Sequence, residues 1–353
     1  MSELQWSVVI PTYQRETILL RCLYWITQQT LLPKEIIVID ASPNWHDTYA
    51  QVMTGLAVQF TTIQWHYVPA HRASSAAQRN QGIALNTADI IFLIDDDSLM
   101  YPNCAEEVMQ IYAADTQQQI AGIMPFLNPL PPEMINYTSA HSISVFKKYL
   151  LKFKTGLRYF AKSLIKDDNI FIPYDFSYPS YELPELLKQF DVYCVPMIHG
   201  ARMSYRREIL AKIHFEEILA RYAVNEDNDV CYRASRLGML LHAMHPQICH
   251  LQVSGGRLSR FTVTALWGLN QALLHRLHSP DLAHFQSLFI RLLRRRLFTQ
   301  AVKDILDRRW TLPAMRGIWF VWQHYQEIIT KTPEELRQWY PKFQQDLINR
   351  DKH

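Results

Sequence analysis

The feature that most constrains this chain is an alternation over its first 98 residues. Apolar, β-branched runs of strand length take turns with segments of helical period. Residues 6–12, WSVVIPT, run into Pro11 and read as a buried strand entering a loop. Residues 16–29 then place Ile18, Leu19, Cys22, Leu23 and Ile26 at helical spacing. EIIVIDAS, 35–42, reads as a second strand, and IQWHYV, 63–68, as a third. Residues 73–86 read as a helix, and DIIFLIDDDS, 89–98, as a fourth strand. Strands alternating with helices form βαβ units, so the expected class is α/β, with a doubly wound, mostly parallel, Rossmann-like sheet. Such sheets bind ligands outside the carboxyl ends of their strands. Two strands here end in acid, one at Asp40 and one at Asp95, Asp96 and Asp97.

Three adjacent carboxylates raise one another's pKa unless a cation neutralises them. Hard oxygens of this kind suit Mg²⁺ or Mn²⁺, which can bridge to a diphosphate and stabilise it as a leaving group. A solvated acidic loop capping the next helix is the plainer alternative. His250, at the end of the apolar run before QVSGGR, is a competent ligand for the same metals. Gly255, Gly256 and Arg257 follow and suggest a loop over phosphates, with Arg257 as anion partner. Glu226 and Asp227 open the helical segment 225–237, where one carboxylate can serve as general base toward a hydroxyl. His199-Gly200, followed by Arg206-Arg207, reads as a turn into a helix.

The rest of the chain divides by charge. The net charge is +3, but residues 1–256 hold 20 Lys and Arg against 25 Asp and Glu, and residues 257–353 hold 16 against 8. A basic tail on an acidic body points to an anionic surface or partner for the tail, or to a solvated helical face. From about residue 261 the pattern is helical to the end and includes FIRLLRRRLF, 289–298. Residues 145–166 carry seven Lys and Arg and no acid, with Tyr149, Leu150, Phe153, Leu157, Phe160, Leu164 and Ile165 near helical spacing. That is the pattern of a basic amphipathic helix, and docking on anionic lipid is one expectation for it. The expected division is a main domain over 1–257, with an inserted basic segment near 126–198, and a helical extension over 258–353. Five cysteines with no C-x-x-C spacing argue against a disulfide framework or a structural zinc site. The amino terminus lacks the plan of a signal peptide, and no run approaches a membrane span. A cytoplasmic protein, peripheral on the membrane at most, is the expectation. No stacking platform or recognition helix accompanies the basic charge, so nucleic acid is not an expected partner.

Taken together, the segments VVIPTYQR (8–15), IIVIDAS (36–42), QRNQGI (78–83), FLIDDDS (92–98), HGARMSYRREIL (199–210), NEDNDVCYRASRLG (225–238) and HLQVSGGR (250–257) resemble the family 2 glycosyltransferases of GT-A fold. Each is weak alone, but seven in the right order are specific. The resemblance implies that Asp40 reads the donor base, with Pro11, Thr12 and Arg15 lining the same nucleotide pocket and Arg79 nearby. It implies Asp97 as the leading metal ligand, Asp95 or Asp96 nearer the ribose, and His250 completing the metal site. Asp227 matches the family's catalytic base. The implied reaction is an inverting, single-step transfer from a nucleotide-diphospho-sugar, with UDP the favoured nucleotide, to a glycan or lipid-linked acceptor. A homo-oligomer is compatible with it. The absence of Q-x-x-R-W points to single addition rather than polymerisation. Two rivals stand beside it: an inactive binding protein on the same scaffold, and a phosphatase of haloacid-dehalogenase type, whose D-x-D also follows an apolar strand but on the first strand of its sheet.

Overall fold

The computed structural model describes residues 4–137, 171–221, 223–253 and 258–350. The basic segment 145–166 and the residues Gly255, Gly256 and Arg257 lie outside them. By internal contacts the chain forms two units, Met1–Ile135 with Tyr178–Arg257, and Asn136–Ser177 with Leu258–His353.

The first unit is built on one nine-stranded sheet. Its strands are β1 (Trp6–Thr12), β2 (Glu35–Asp40), β3 (Gln64–Pro69), β4 (Ile90–Ile94), β5 (Ser98–Met100), β6 (Ile120–Leu127), β7 (Val192–Cys194), β8 (Arg202–Arg206) and β9 (Met239–His250). The order in space is β3-β2-β1-β4-β8-β6-β9-β5, with β7 paired to β9. The four strands legible from sequence, β1 to β4, run parallel to one another. β2 and β4 are buried along their whole length, as unbroken apolar runs in a covered parallel sheet require. Beyond β4 the sheet is mixed: β8 is antiparallel to β4 and β6, while β6 and β9 are parallel.

The helices of this unit are α1 (Glu16–Thr27), α2 (Trp45–Val52), α3 (Ser75–Leu85), α4 (Cys104–Ala114), α5 (Arg207–Lys212) and α6 (Glu226–Ser235). α1 buries Leu19, Cys22, Leu23 and Ile26, the stripe its sequence spacing sets out. α3 does more than cover the sheet. Its Gln78 Nε2 donates to the carbonyls of Thr12 at 2.9 Å and Ile39 at 2.7 Å, which ties the ends of β1 and β2 together. Its Gly82 lies so close to β1 that a Cβ there would stand 2.3 Å from Val9 Cγ1. The result is one sheet edge carrying Thr12, Asp40 and the residues after Ile94, with Thr12 directly beside Asp40.

Among the described residues the second unit holds four helices, α7 (Arg260–His278), α8 (Leu282–Leu306), α9 (Pro313–Thr330) and α10 (Pro333–Arg350). Two glycines let α7 and α9 meet closely, since a Cβ at Gly268 would sit 2.7 Å from Val321 and one at Gly317 2.8 Å from the Phe261 carbonyl. Buried Asp304 of α8 accepts from Arg260 Nε at 2.9 Å and from the Ala314 N–H at 2.7 Å, capping α9 from a distance. The arginine run splits by face. Arg296 is buried with its guanidinium 3.9 Å from the Trp267 ring centre, whereas Arg291, Arg294 and Arg295 are exposed. All five cysteines are free. Among the described residues no helix is long and apolar enough to cross a membrane.

Candidate active site

The three aspartates after β4 take three different sets of partners. Asp97 is buried, and its Oδ2 accepts the Val253 N–H at 3.0 Å. Its Oδ1 is buried without a hydrogen bond of good geometry and lies 3.0 Å from His250 Nε2. Asp95 Oδ2 lies 3.8 Å from the same nitrogen. One ligand atom each from Asp95, Asp97 and His250 therefore falls within 4.8 Å of the others. His250 arrives from far along the chain because β9 ends against β5, with His250 opposite Ser98. Burial pushes the Asp97 carboxyl up, but the neighbouring His250 imidazole, the Val253 N–H and the charge of Arg15 together hold it below the ordinary aspartate value. Two hard carboxylate oxygens with one imidazole nitrogen fit Mn²⁺ or Mg²⁺. The buried, unsatisfied Asp97 oxygen is the atom such a cation would satisfy.

Asp96 turns toward β1 and the loop after it. It accepts from Thr12 Oγ1 at 2.8 Å and from Arg15 Nη1 at 2.9 Å. Burial raises its carboxyl to about 6 against the pull of those two donors. Arg15 also lies 3.5 Å from Asp97 Oδ2 and donates to the Val253 carbonyl at 3.3 Å, so one guanidinium links β1, the acid run and the segment after β9. Asp40 is buried at the same sheet edge, where it accepts from Tyr67 Oη at 2.5 Å and the Ser42 N–H at 2.7 Å. Pro11 is half-buried in β1, beside Ile39 of β2.

Arg79 connects this group to α6. Fully enclosed in α3, it donates to Asp95 Oδ1 at 2.9 Å, to the Gly200 carbonyl at 3.2 Å and to Glu226 Oε1. Glu226 is buried, and burial raises its carboxyl to about 7 although Arg79 pulls the other way. Asp227, one residue on, is half-buried and is held by backbone donors: Gly200 N–H to Oδ2 at 3.2 Å and Asn228 N–H to Oδ1 at 2.9 Å. The loop before α6 holds Arg221, Ala223 and Asn225 at positive φ, a strained approach of the kind found at functional sites.

The structure thus brings together Thr12, Arg15, Arg79, Asp95, Asp96, Asp97, Asp227 and His250, and sets Asp40 and Pro11 along the same edge. Arg257 lies outside the described residues. Several participants were invisible in the sequence. The Gly200 and Val253 groups are backbone N–H donors, which residue type does not report. Gln78 and Tyr67 were legible in principle, since Gln78 precedes Arg79 in QRNQGI and Tyr67 lies in the third strand opposite Val38.

The fold and this edge of acids define a GT-A scaffold. The profile of Glycosyl transferase family 2 matches residues 7–214, more than half of the chain, and the chain belongs to that family. A curated relative, the uncharacterized glycosyltransferase YwdF of Bacillus subtilis (strain 168), is 27% identical over 152 residues, which span 41% of this chain and 54% of YwdF, about half its length. Among solved structures, the mannosyltransferase PcManGT of Pyrobaculum calidifontis, in complex with GDP-Man and Mn²⁺, superposes with a TM-score of 0.48 at 13% identity, over 98% of this chain and 85% of that one. TarS of S. aureus, residues 1–349, gives 0.48 at 12% identity, over 96% and 92%.

Proposed function

We propose that this protein transfers a sugar from a nucleotide-diphosphate donor, a UDP-sugar being the favoured class, to a hydroxyl of a glycan or lipid-linked acceptor. The observation that carries the reading is the Asp95–Asp97–His250 group at the end of β4, joined through Arg79 to the helix that presents Asp227. Thr12, Arg15, Asp40 and Asp96 line the nucleotide side, with Pro11 beneath. A Mn²⁺ or Mg²⁺ ion held by Asp97 and His250, with Asp95 alongside, would supply charge neutralisation for the departing diphosphate. Arg257 is the further anion partner. Asp227 removes the proton from the acceptor hydroxyl, and that oxygen attacks the anomeric carbon opposite the diphosphate, which inverts the centre. Of the two acids opening α6, Glu226 is committed to Arg79, whereas Asp227 keeps an accessible carboxylate. That difference favours Asp227 as the base.

Turnover separates this reading from an inactive binding protein. Asp227→Asn should lower kcat by about 10²–10⁴ while stabilisation by nucleotide and metal is retained. Wild-type protein that binds donor but never turns it over, with any acceptor fraction, would favour the binding role. Docking on anionic lipid through the basic surfaces fits a lipid-linked acceptor and belongs to the same proposal.

A further inference from the structure

Arg202 opens β8 and is buried, with 8% of its surface exposed, yet no carboxylate among the described residues pairs with it. Its partner there is the Pro125 carbonyl, reached through Nη1. The other two buried arginines of this unit are both neutralised, Arg79 by Asp95 and Glu226, and Arg206 by Asp115. A buried guanidinium without counter-charge is costly, and burial lowers the Arg202 pKa to about 10. Two imidazoles stand near it. His242 lies opposite Met124 in the β6–β9 register, and its Nε2 is buried without a partner. His199 donates its N–H to Met124 Sδ at 3.3 Å and is exposed. Partial desolvation of the rings, and then the charge of Arg202, lowers the pKa of both histidines, with the charge of Asp227 opposing at His199. Three basic groups thus lie around Met124 and Pro125 of β6, and the acid whose charge reaches them among the described residues is Asp227, at His199.

Their position points to the acceptor. Arg202 pairs with Ile94, the residue before Asp95. Gly200, two residues earlier, donates its N–H to Asp227 at 3.2 Å. The donor's charge has separate partners in Arg15 and the Asp95–Asp97–His250 group. We propose that Arg202, flanked by His199 and His242, forms a phosphate-binding subsite for the acceptor, so that the attacking hydroxyl belongs to a phosphorylated molecule. The inference rests on the transferase reading and narrows its acceptor class. Donors from β8, β9 and the turn between β7 and β8 suit an anion with several oxygens, and the exposed His199 marks its entry.

The test is thermal stabilisation by inorganic phosphate, added to protein already saturated with Mg²⁺ and whichever nucleoside diphosphate stabilises it most. Phosphate should give a second, saturable rise in Tm that acetate does not. Arg202→Gln should need about tenfold more phosphate or greater for half of that rise, with the nucleotide shift unchanged. His242→Asn should weaken the phosphate response as well, and it stands in if Arg202→Gln does not fold. The proposal is overturned if saturating nucleotide removes the phosphate response, if acetate reproduces it, or if the folded variants respond as wild type does. Failure of the transferase reading looks different: no nucleotide with metal would shift Tm in any of the proteins.

Discussion

Asp97 meets two demands at once. One oxygen is fixed by the Val253 N–H, and the other is left buried beside His250. In the proposed metal site, removing either side of that pair would remove a ligand and its orientation together. Asp97→Asn and His250→Ala should each weaken metal affinity by about 100-fold or more, the scale at which even a supporting partner of a metal ligand acts. Titration of Mn²⁺ by calorimetry checks this, and unchanged affinity in both would dissociate the trio from the metal. Glu226 gives a pH prediction of a different kind. Its carboxyl is raised from 4.5 to about 7, chiefly by burial, because Arg79 divides its charge between Glu226 and Asp95. Stability from the neutral acid is complete below pH 4.5 and is lost as pH rises through about 7. Glu226→Gln stays neutral throughout. Wild type should therefore lose stability relative to Glu226→Gln across that window, by about 3 kcal/mol. Denaturant melts at several pH values test it, and a constant difference would show that Glu226 is ionised in the folded protein throughout.

At the scale of elements, α3 explains why QRNQGI reads as a unit. Gln78 ties two strand ends, Arg79 joins two carboxylates, and Gly82 permits the contact with Val9 that places both. Gly82→Ala would force a methyl into a buried β-branched neighbour and should destabilise by about 1–3 kcal/mol. An unfolding midpoint equal to wild type would mean the helix can withdraw without cost. The elements legible from sequence were those with one clean period. β1, β2 and β4 are unbroken apolar runs, and α1 carries a single stripe. β8 was hidden because RMSYR spends two of its five residues on arginine, each matched only by partners distant in sequence, Pro125 for Arg202 and Asp115 for Arg206. β9 was hidden because its pairing shifts register opposite Pro125 and Phe126 and changes partner from β6 to β5. The acids of the site could be read because strand ends concentrate them. Arg202 could not, because the signal is the absence of a counter-charge, which only the fold reveals.

At the scale of the whole molecule, the family profile ends at residue 214, while Asp227 and His250 lie beyond it in the same contact unit. The site therefore depends on β9 and α6 as much as on the strands before them. The second unit adds exposed Phe298, Trp310 and Trp319, along with the solvent-facing arginines of α8. Aromatic and cationic groups of this sort favour an anionic interface. Binding to anionic vesicles should exceed binding to neutral ones and weaken as salt rises, and equal partitioning would remove the lipid-docking proposal. The central claim, a metal-dependent donor site, meets its most direct test in thermal stabilisation by UDP, GDP and dTDP, each with and without Mn²⁺, on wild type and Asp97→Ala. A ligand that binds only the folded state raises stability by RT ln(1 + [L]/Kd). The account predicts that one nucleotide shifts the transition only when metal is present and that Asp97→Ala loses the shift. No shift with any nucleotide, or a shift that survives both metal removal and the substitution, would contradict it.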